Sequence, residues 1–249
     1  MALQESDMSF WDHLDVLRGT LFRSVLSVAL LSVVFLCIPR PLFQVVLWPS
    51  TPDFVLYRVL GLDFGMSLIN IDISAQFFVH LKMSVLFALV LAFPYIVYEI
   101  WRFVVPALYE KEKKALRTAF GMSSGLFYLG VLVGYFVVLP VCLMFFMNYS
   151  VSDAVRNTIS LNSYISLFTS LVFLIGLLFE FPTVVMALSH LGVLKRNQLR
   201  RFRKQAFIVI LILAALITPS DPFSKFVLAI PLYGLYEFSI LVCKNDINQ

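Results

Sequence analysis

Residues 119–147 read AFGMSSGLFYLGVLVGYFVVLPVCLMFFM, 29 positions without one charged side chain. About 20 predominantly apolar residues suffice for an α-helix to cross a hydrocarbon core about 30 Å thick. A run this long and continuous predicts a membrane-spanning helix. A transmembrane barrel strand would be shorter and would alternate. The segments on either side repeat the pattern. Apolar runs cover about 21–38, 75–98 and 164–191, and two shorter ones, 206–217 and 226–243, follow, separated by Thr218-Pro219-Ser220-Asp221-Pro222. The expectation is one all-α polytopic membrane domain over 1–249 with six transmembrane helices, the last two short. The fifth run is too short for a full-thickness core, so the final pair reads as a shallow hairpin or as two spans in locally thinned bilayer.

Composition points the same way. The 249 residues are 60% hydrophobic and only 14% charged, with mean hydropathy +0.90. A soluble domain of this length needs more charge to wet its surface, whereas lipid solvates apolar side chains once the backbone is satisfied within helices. Fourteen of the nineteen Lys and Arg residues fall on one predicted face: before the first span, between the second and third (Arg102 to Arg117), between the fourth and fifth (Lys195 to Lys204), and in the tail. The positive-inside rule makes that face cytoplasmic, with both termini inside and a bacterial-type cytoplasmic membrane as the expected location. The net charge of +4 then reflects topology rather than nucleic-acid binding. Glu5, Asp7, Asp12 and Asp15 precede the first apolar run and no small-residue cleavage site follows it, unlike a cleavable signal peptide. Pro39 to about Ser74, an outer loop of mixed polarity, is the longest stretch outside the apolar runs and predicts short interfacial structure. Cys37, Cys142 and Cys243 lack metal-ligand spacing and read as small apolar fillers.

Several motifs suggest chemistry and fail on context. Gly121-Met122-Ser123-Ser124-Gly125 matches a nucleophile elbow, but that motif needs a strand-to-helix turn. Here it lies in a helical run, where with Gly130 and Gly134 it makes two Gly-x-x-x-Gly pairs suited to close helix packing. His13, His80 and His190 are scattered, so no metal site is expected. No Gly-rich phosphate loop precedes a helix, so neither nucleotide nor another cofactor is expected, and an enzyme is a poor reading.

The polar residues inside apolar runs carry the functional information. Glu99, Glu180, Asp221 and Glu237 are carboxylates in or at the edge of these runs. Glu99 and Asp221 lie near span ends and are expected to reach water. Glu180 lies well inside the fourth span, where an ionised carboxylate costs a few kcal/mol or more, so it should face protein or a water-filled cavity. It is either a neutral side chain bonded to a neighbouring helix or a polar anchor in a groove that admits a substrate or partner helix. Glu110 and Glu112 share the basic loop but differ in surroundings. With a helix starting near Tyr109, Glu110 has Lys113 and Lys114 at i+3 and i+4, whereas Glu112 has only Leu108, Tyr109, Ala115 and Leu116. An unpaired carboxylate beside apolar surface suits a cationic partner.

At this point the chain resembles the TatC family of twin-arginine protein translocase subunits. The similarity rests on His13-Leu14-x-x-Leu17-Arg18, on Phe77-Phe78 with Lys82, on Pro94, Trp101 and Phe103, and on Pro106-Ala107-Leu108-Tyr109-x-x-Glu112. It continues through Phe127-Tyr128-x-Gly130, Tyr135-Phe136-Val137-Val138-x-Pro140, Phe179-Glu180-x-Pro182, Thr218-Pro219-x-Asp221-x-Phe223-Ser224 and Ala229-Ile230-Pro231-x-Tyr233-x-x-x-Glu237. The resemblance implies a receptor that binds signal peptides containing two adjacent arginines. It also implies export of folded proteins driven by the protonmotive force, partners of the single-span TatA and TatB type, and self-association. Glu112 matches the family's arginine-contacting carboxylate, Glu180 its intramembrane acid and Asp221 an acid of the last outer loop. One position departs from the pattern. The family usually has Glu before the Leu-Arg of the first motif, where this chain has Val16. Asp12, one helical turn away on the same face, and Asp15, adjacent but rotated by about 100°, are the candidates for the second carboxylate; Asp15 has Arg18 at i+3 as a possible partner. The rival to the receptor reading is a proton-coupled secondary transporter that relays through Glu180 and Glu237.

Overall fold

The computed structural model describes residues 10–104, 110–150, 152, 157–190, 192–217 and 222–243; side chains of 10–13, 104, 110–119 and 222–224 lie outside that description. Helix α1 (Phe10–Cys37) begins well before the apolar run, so its first turns extend past the membrane-embedded part. Ile38 leaves the helical conformation and Pro39 opens α2 (Pro39–Leu47), where the missing N–H of a first-turn proline costs nothing. A 3-10 turn (Trp48–Ser50), α3 (Val55–Leu60) and strand β1 (Leu68–Ile69) complete a cap across one end of the molecule, so 39–74 does form short elements. We refer to this as the capped end. β1 pairs in parallel with β2 (Ile159–Ser160), a two-residue ladder that an all-helical reading lacks.

Helix α4 (Ala75–Val104) runs antiparallel to α1 and supplies its main support. Thr20 and Ser32 of α1 and Ser84, Ala88 and Ala92 of α4 are buried, and the spacing of four puts the last three in one row. Without a hydrophobic driving force in lipid, helices associate through close van der Waals packing, which small side chains permit.

The decisive 119–147 stretch lies inside one helical rod: α5 (Glu110–Val133), a π-helical turn (Gly134–Val138) and α6 (Leu139–Asn148). Pro140 has no N–H for the Phe136 carbonyl and its ring crowds that oxygen, and the wider turn just before it absorbs the mismatch. The fourth span is two helices, α7 (Leu161–Leu178) and α8 (Phe181–His190), broken at Phe179-Glu180 because Pro182 cannot donate to Leu178. Helices α9 (Arg196–Arg201), α10 (Arg203–Ile217) and α11 (Pro222–Val242) complete the chain. Five described helical segments are long and apolar enough to cross a membrane, and α10 is not among them. Its 15 residues rise about 22 Å, short of the core as expected for the fifth run.

Two features hold this frame. At the capped end the Tyr135 and Tyr164 hydroxyls donate to the Val45 and Val46 carbonyls at 2.7 and 2.6 Å, which lie in the last turn of α2 and lack intrahelical donors. Tyr57 donates to Pro49 O at 2.9 Å, and burial raises its pKa above the usual phenol value, so it stays a neutral donor. Midway along the rod, a Cβ on Gly130 would fall 2.7 Å from Phe179 Cβ and 2.9 Å from the Gly176 Cα, so α5 and α7 meet almost backbone to backbone. Gly134 also meets α7 closely. Gly121 and Gly125 do not pack in this way, since a Cβ on either would meet nothing within 4 Å. The expected packing role therefore holds for one of the two pairs.

Candidate functional site

All three described span carboxylates lie toward the end opposite the cap, and each is held by a different donor. The break before Pro182 turns Glu180 toward α5, where Ser123 Oγ donates to its Oε2 at 2.6 Å. Ser123 is the serine of the apparent nucleophile elbow. It sits within continuous helix and serves the glutamate. Thr183 lies near enough to act on the same carboxyl group, yet among the described residues neither its hydroxyl nor Glu180 Oε1 makes a hydrogen bond of good geometry. Beside them is a small cleft lined by Met122, Leu126, Thr183, Met186, Phe238 and Val242, with about 10 Å³ of internal space, the threshold for one water. Glu180 thus has one carboxylate oxygen bonded and the other buried without a good hydrogen bond among the described residues.

Glu99 corrects an expectation. It lies near a span end but does not reach water: its side chain is 3% exposed, and it is the one charged residue fully buried among the described residues. Arg23 Nε and Nη2 approach its Oε2 at 2.9 and 2.8 Å, while the Tyr95 hydroxyl donates to Oε1 at 3.1 Å. The sequence offered a signal for this pairing. Arg23 falls inside the first apolar run and needs a countercharge at similar depth on an antiparallel neighbour, which Glu99 provides. Glu237 is bound to Arg203 Nη2 at 2.8 Å and accepts from Tyr233 at 3.2 Å, an arrangement that ties α10 to α11. A relay through Glu180 and Glu237 would have to break that pair.

Of the expected arginine-binding acids, Asp15 is exposed on α1, and among the described residues it makes no ion pair, with Arg18 or otherwise. Asp12 lies in the first turn of α1 and Glu112 in the first turn of α5; the side chains of both are outside the description. The start of α5 at Glu110 agrees with the helix start assumed for Glu110 and Glu112. Asp221 lies outside the described residues. The structure thus places Glu180 and Asp15 at the atomic level, Asp12 and Glu112 by backbone alone, and does not bring the four into one measured site.

A family model for the Sec-independent protein translocase protein TatC matches residues 12–231. The chain belongs to the TatC family. The TatC of Blattabacterium sp. subsp. Periplaneta americana is 34% identical over 258 residues, covering 97% of each chain. That of Escherichia coli K12 is 31% identical over 237 residues, which is 95% of this chain and 88% of its own. A crystal structure of the twin-arginine translocase receptor TatC matches with a TM-score of 0.75 at 32% identity, covering 92% of this chain and 97% of its own. A second, in the detergent DDM, matches with a TM-score of 0.79 at 32% identity over 93% and 99%. As a TatC-family member the chain is a multi-pass membrane protein and a component of a protein translocase. Two of the TatC motifs coincide with irregularities in the described helices: the π-helical turn before Pro140 and the break at Glu180.

Proposed function

We propose that this chain is the core receptor subunit of a twin-arginine translocase. In this reading it binds twin-arginine signal peptides and supports protonmotive-force-driven export of folded proteins across the bacterial cytoplasmic membrane. The observation that carries the reading is likeness over more than nine-tenths of the chain, in sequence and fold, to proteins described as the twin-arginine translocase receptor. The chemistry is consistent with it. A guanidinium presents a planar donor fork that a carboxylate accepts bidentately and an ammonium cannot reproduce. Glu112 would take one arginine and Asp12 or Asp15 the other; the unpaired state of Asp15 favours its availability. The peptide's apolar segment would then lie along the helices toward Glu180, at the break between α7 and α8. Single-span TatA- and TatB-type subunits and further copies of this chain complete the assembly, and Asp221 acts in the last outer loop.

Two measurements test this. Purified protein should bind a twin-arginine peptide and discriminate against its twin-lysine counterpart; equal affinity for both removes the receptor reading. The six-span, both-ends-inside topology expects that a cysteine at Asn197, in a variant without Cys37, Cys142 and Cys243, stays unlabelled by an impermeant reagent on intact cells. Labelling from outside overturns it.

A further inference from the structure

Helix α1 carries one half of the proposed arginine site, and its attachment to the rest of the molecule rests on α4. Only 11% of its most apolar stretch is buried, against 39–44% for the other four spans. The α1–α4 contact buries small side chains (Thr20, Ser32, Ser84, Ala88, Ala92), which allow close approach of the two helices. Two contacts define its register. Arg23 meets Glu99, and twelve residues further along α1, Phe35 meets Phe87, twelve residues back along α4. The aromatic contact, 5.9 Å between ring centroids, tolerates a shift. The ion pair does not. A slip of one residue moves a helix by about 1.5 Å and rotates it by about 100°, which would strand a fully buried carboxylate in apolar surroundings.

On the receptor reading proposed above, we infer that the Arg23–Glu99 ion pair is a positioning element, which fixes α1 against α4 so that the acids of α1 and of α5 face one ligand. Five residues past Glu99, α4 ends at Val104, and α5 opens at Glu110. In the same direction α1 continues from Arg23 past Asp15, about 12 Å on, to Asp12. One group of acids therefore lies on α1 beyond the pair, and the other lies at the start of α5, which packs on α4 through Phe120 against Trp101. Tyr95 holds the second carboxylate oxygen, so Glu99 has one orientation in which all its acceptors are used. Arg23 is 41% exposed and Glu99 only 3%, so loss of the pair leaves the more deeply enclosed charge on the glutamate. The constraint thus acts on α1 through the arginine.

The test uses the full-length protein in detergent and reads affinity for a twin-arginine peptide, the twin-arginine to twin-lysine affinity ratio, and thermal stability. Arg23→Gln should weaken twin-arginine binding by about two- to thirty-fold, the range for coupling through residues that do not touch the ligand, and should lower the ratio. Because that change strands Glu99, it is paired with Glu99→Gln, which leaves only the half-exposed guanidinium unpaired and should also lower the ratio. In the double variant Arg23→Gln/Glu99→Gln, two amides can bond across the same contact, and binding should recover to within about threefold of wild type. If thermal stability falls in the single variants while the ratio stays at the wild-type value, the pair is a structural fastener only and the inference is overturned. Failure of the double variant to recover binding, despite normal stability, also overturns it. Wild-type protein that does not discriminate between the peptides removes the receptor reading itself, and the positioning role with it.

Discussion

The two ends of this molecule are built from different chemistry. At the capped end, three tyrosine hydroxyls donate to backbone carbonyls, and Phe54 packs against Trp48, Tyr57, Tyr135 and Phe136. These contacts are neutral and tolerate an apolar setting without a countercharge. Toward the other end lie Glu99, Glu180 and Glu237, bound respectively by an arginine with a tyrosine, by a serine, and by an arginine with a tyrosine. A carboxylate in a span is expensive and normally marks function or a fixed contact. The capped end thus serves as a frame, and the described carboxylates within the helical spans lie toward the end where the proposed ligand arrives.

The glycines give the sharpest way to break that comparison. The same Gly-x-x-x-Gly spacing occurs twice on one rod, once against α7 and once in the open. Gly130→Leu would drive a side chain into Phe179 and the Gly176 backbone, which cannot move aside. Overpacking typically costs about 1–3 kcal/mol and more where backbone must shift, so a loss of about 3 kcal/mol or greater is expected here, a large part of the stability of an ordinary domain. Gly125→Leu should change stability little, because nothing lies within 4 Å. Thermal unfolding of both variants in one detergent measures the contrast. Similar losses in both would mean that the two halves of the rod are equally packed, and the division into frame and open region would fall.

The next effect concerns the acids of the opposite end. Glu112→Ala should weaken twin-arginine peptide binding by about ten- to 150-fold, the equivalent of a charge-assisted contact of about 1.5–3 kcal/mol. Glu110→Ala should change it little, since Lys113 and Lys114 lie within helical reach of Glu110. Both are compared at one ionic strength, because salt screens exposed charges. Equal losses would point to a diffuse acidic attraction, and a greater loss at Glu110 would reverse the assignment.

At the capped end, Tyr164→Phe removes the donor to Val46 O and leaves a buried carbonyl unpaired. A stability loss of about 1–3 kcal/mol is expected, with peptide affinity unchanged. Tyr95→Phe, at the opposite end, should cost less, because Arg23 still holds Glu99. A larger loss at Tyr95 would place the mechanical anchor of the molecule among its acids instead of under the cap.

What the sequence made legible follows from what periodicity and hydropathy report. Long apolar runs fall on long helices whose ends lie within a few residues of the runs in most cases, and the short fifth run corresponds to α10. Hydropathy marks only the apolar part of α1; the helix continues through Asp15 to Phe10, as the helical placing of Asp12 and Asp15 requires. A proline inside an apolar run disturbs the helix, but the π-helical turn before Pro140 and the two-residue break before Pro182 look alike in a sequence. The β1–β2 pair depends on residues about ninety positions apart and has no local signature. Glu180 was found from its depth, but Ser123, its partner, was set aside with the false nucleophile motif. Glu99 was misjudged because distance from a span end says nothing about which neighbour covers it.

The smallest expected effect is the most informative about mechanism. Glu180 accepts a hydrogen bond from Ser123, and a Gln at that position keeps an oxygen that can do the same. Glu180→Gln should therefore retain most export, with a change of about two- to threefold, the lower end of what one neutral hydrogen bond contributes. Glu180→Leu has no acceptor for Ser123 and none for a partner, so it should impair export while the protein still inserts at normal levels. Ser123→Ala provides a control: it leaves the acid without its donor, and its effect should fall between the other two. A proton relay predicts a different order, because Gln cannot titrate and would abolish export as fully as Leu. Export of a twin-arginine reporter, normalised to membrane levels of each variant, separates the two orders. If Gln and Leu are equally inactive at normal levels, the acid moves protons, and the contrast between a passive frame and a ligand-anchoring end must give way to one in which that end also conducts charge.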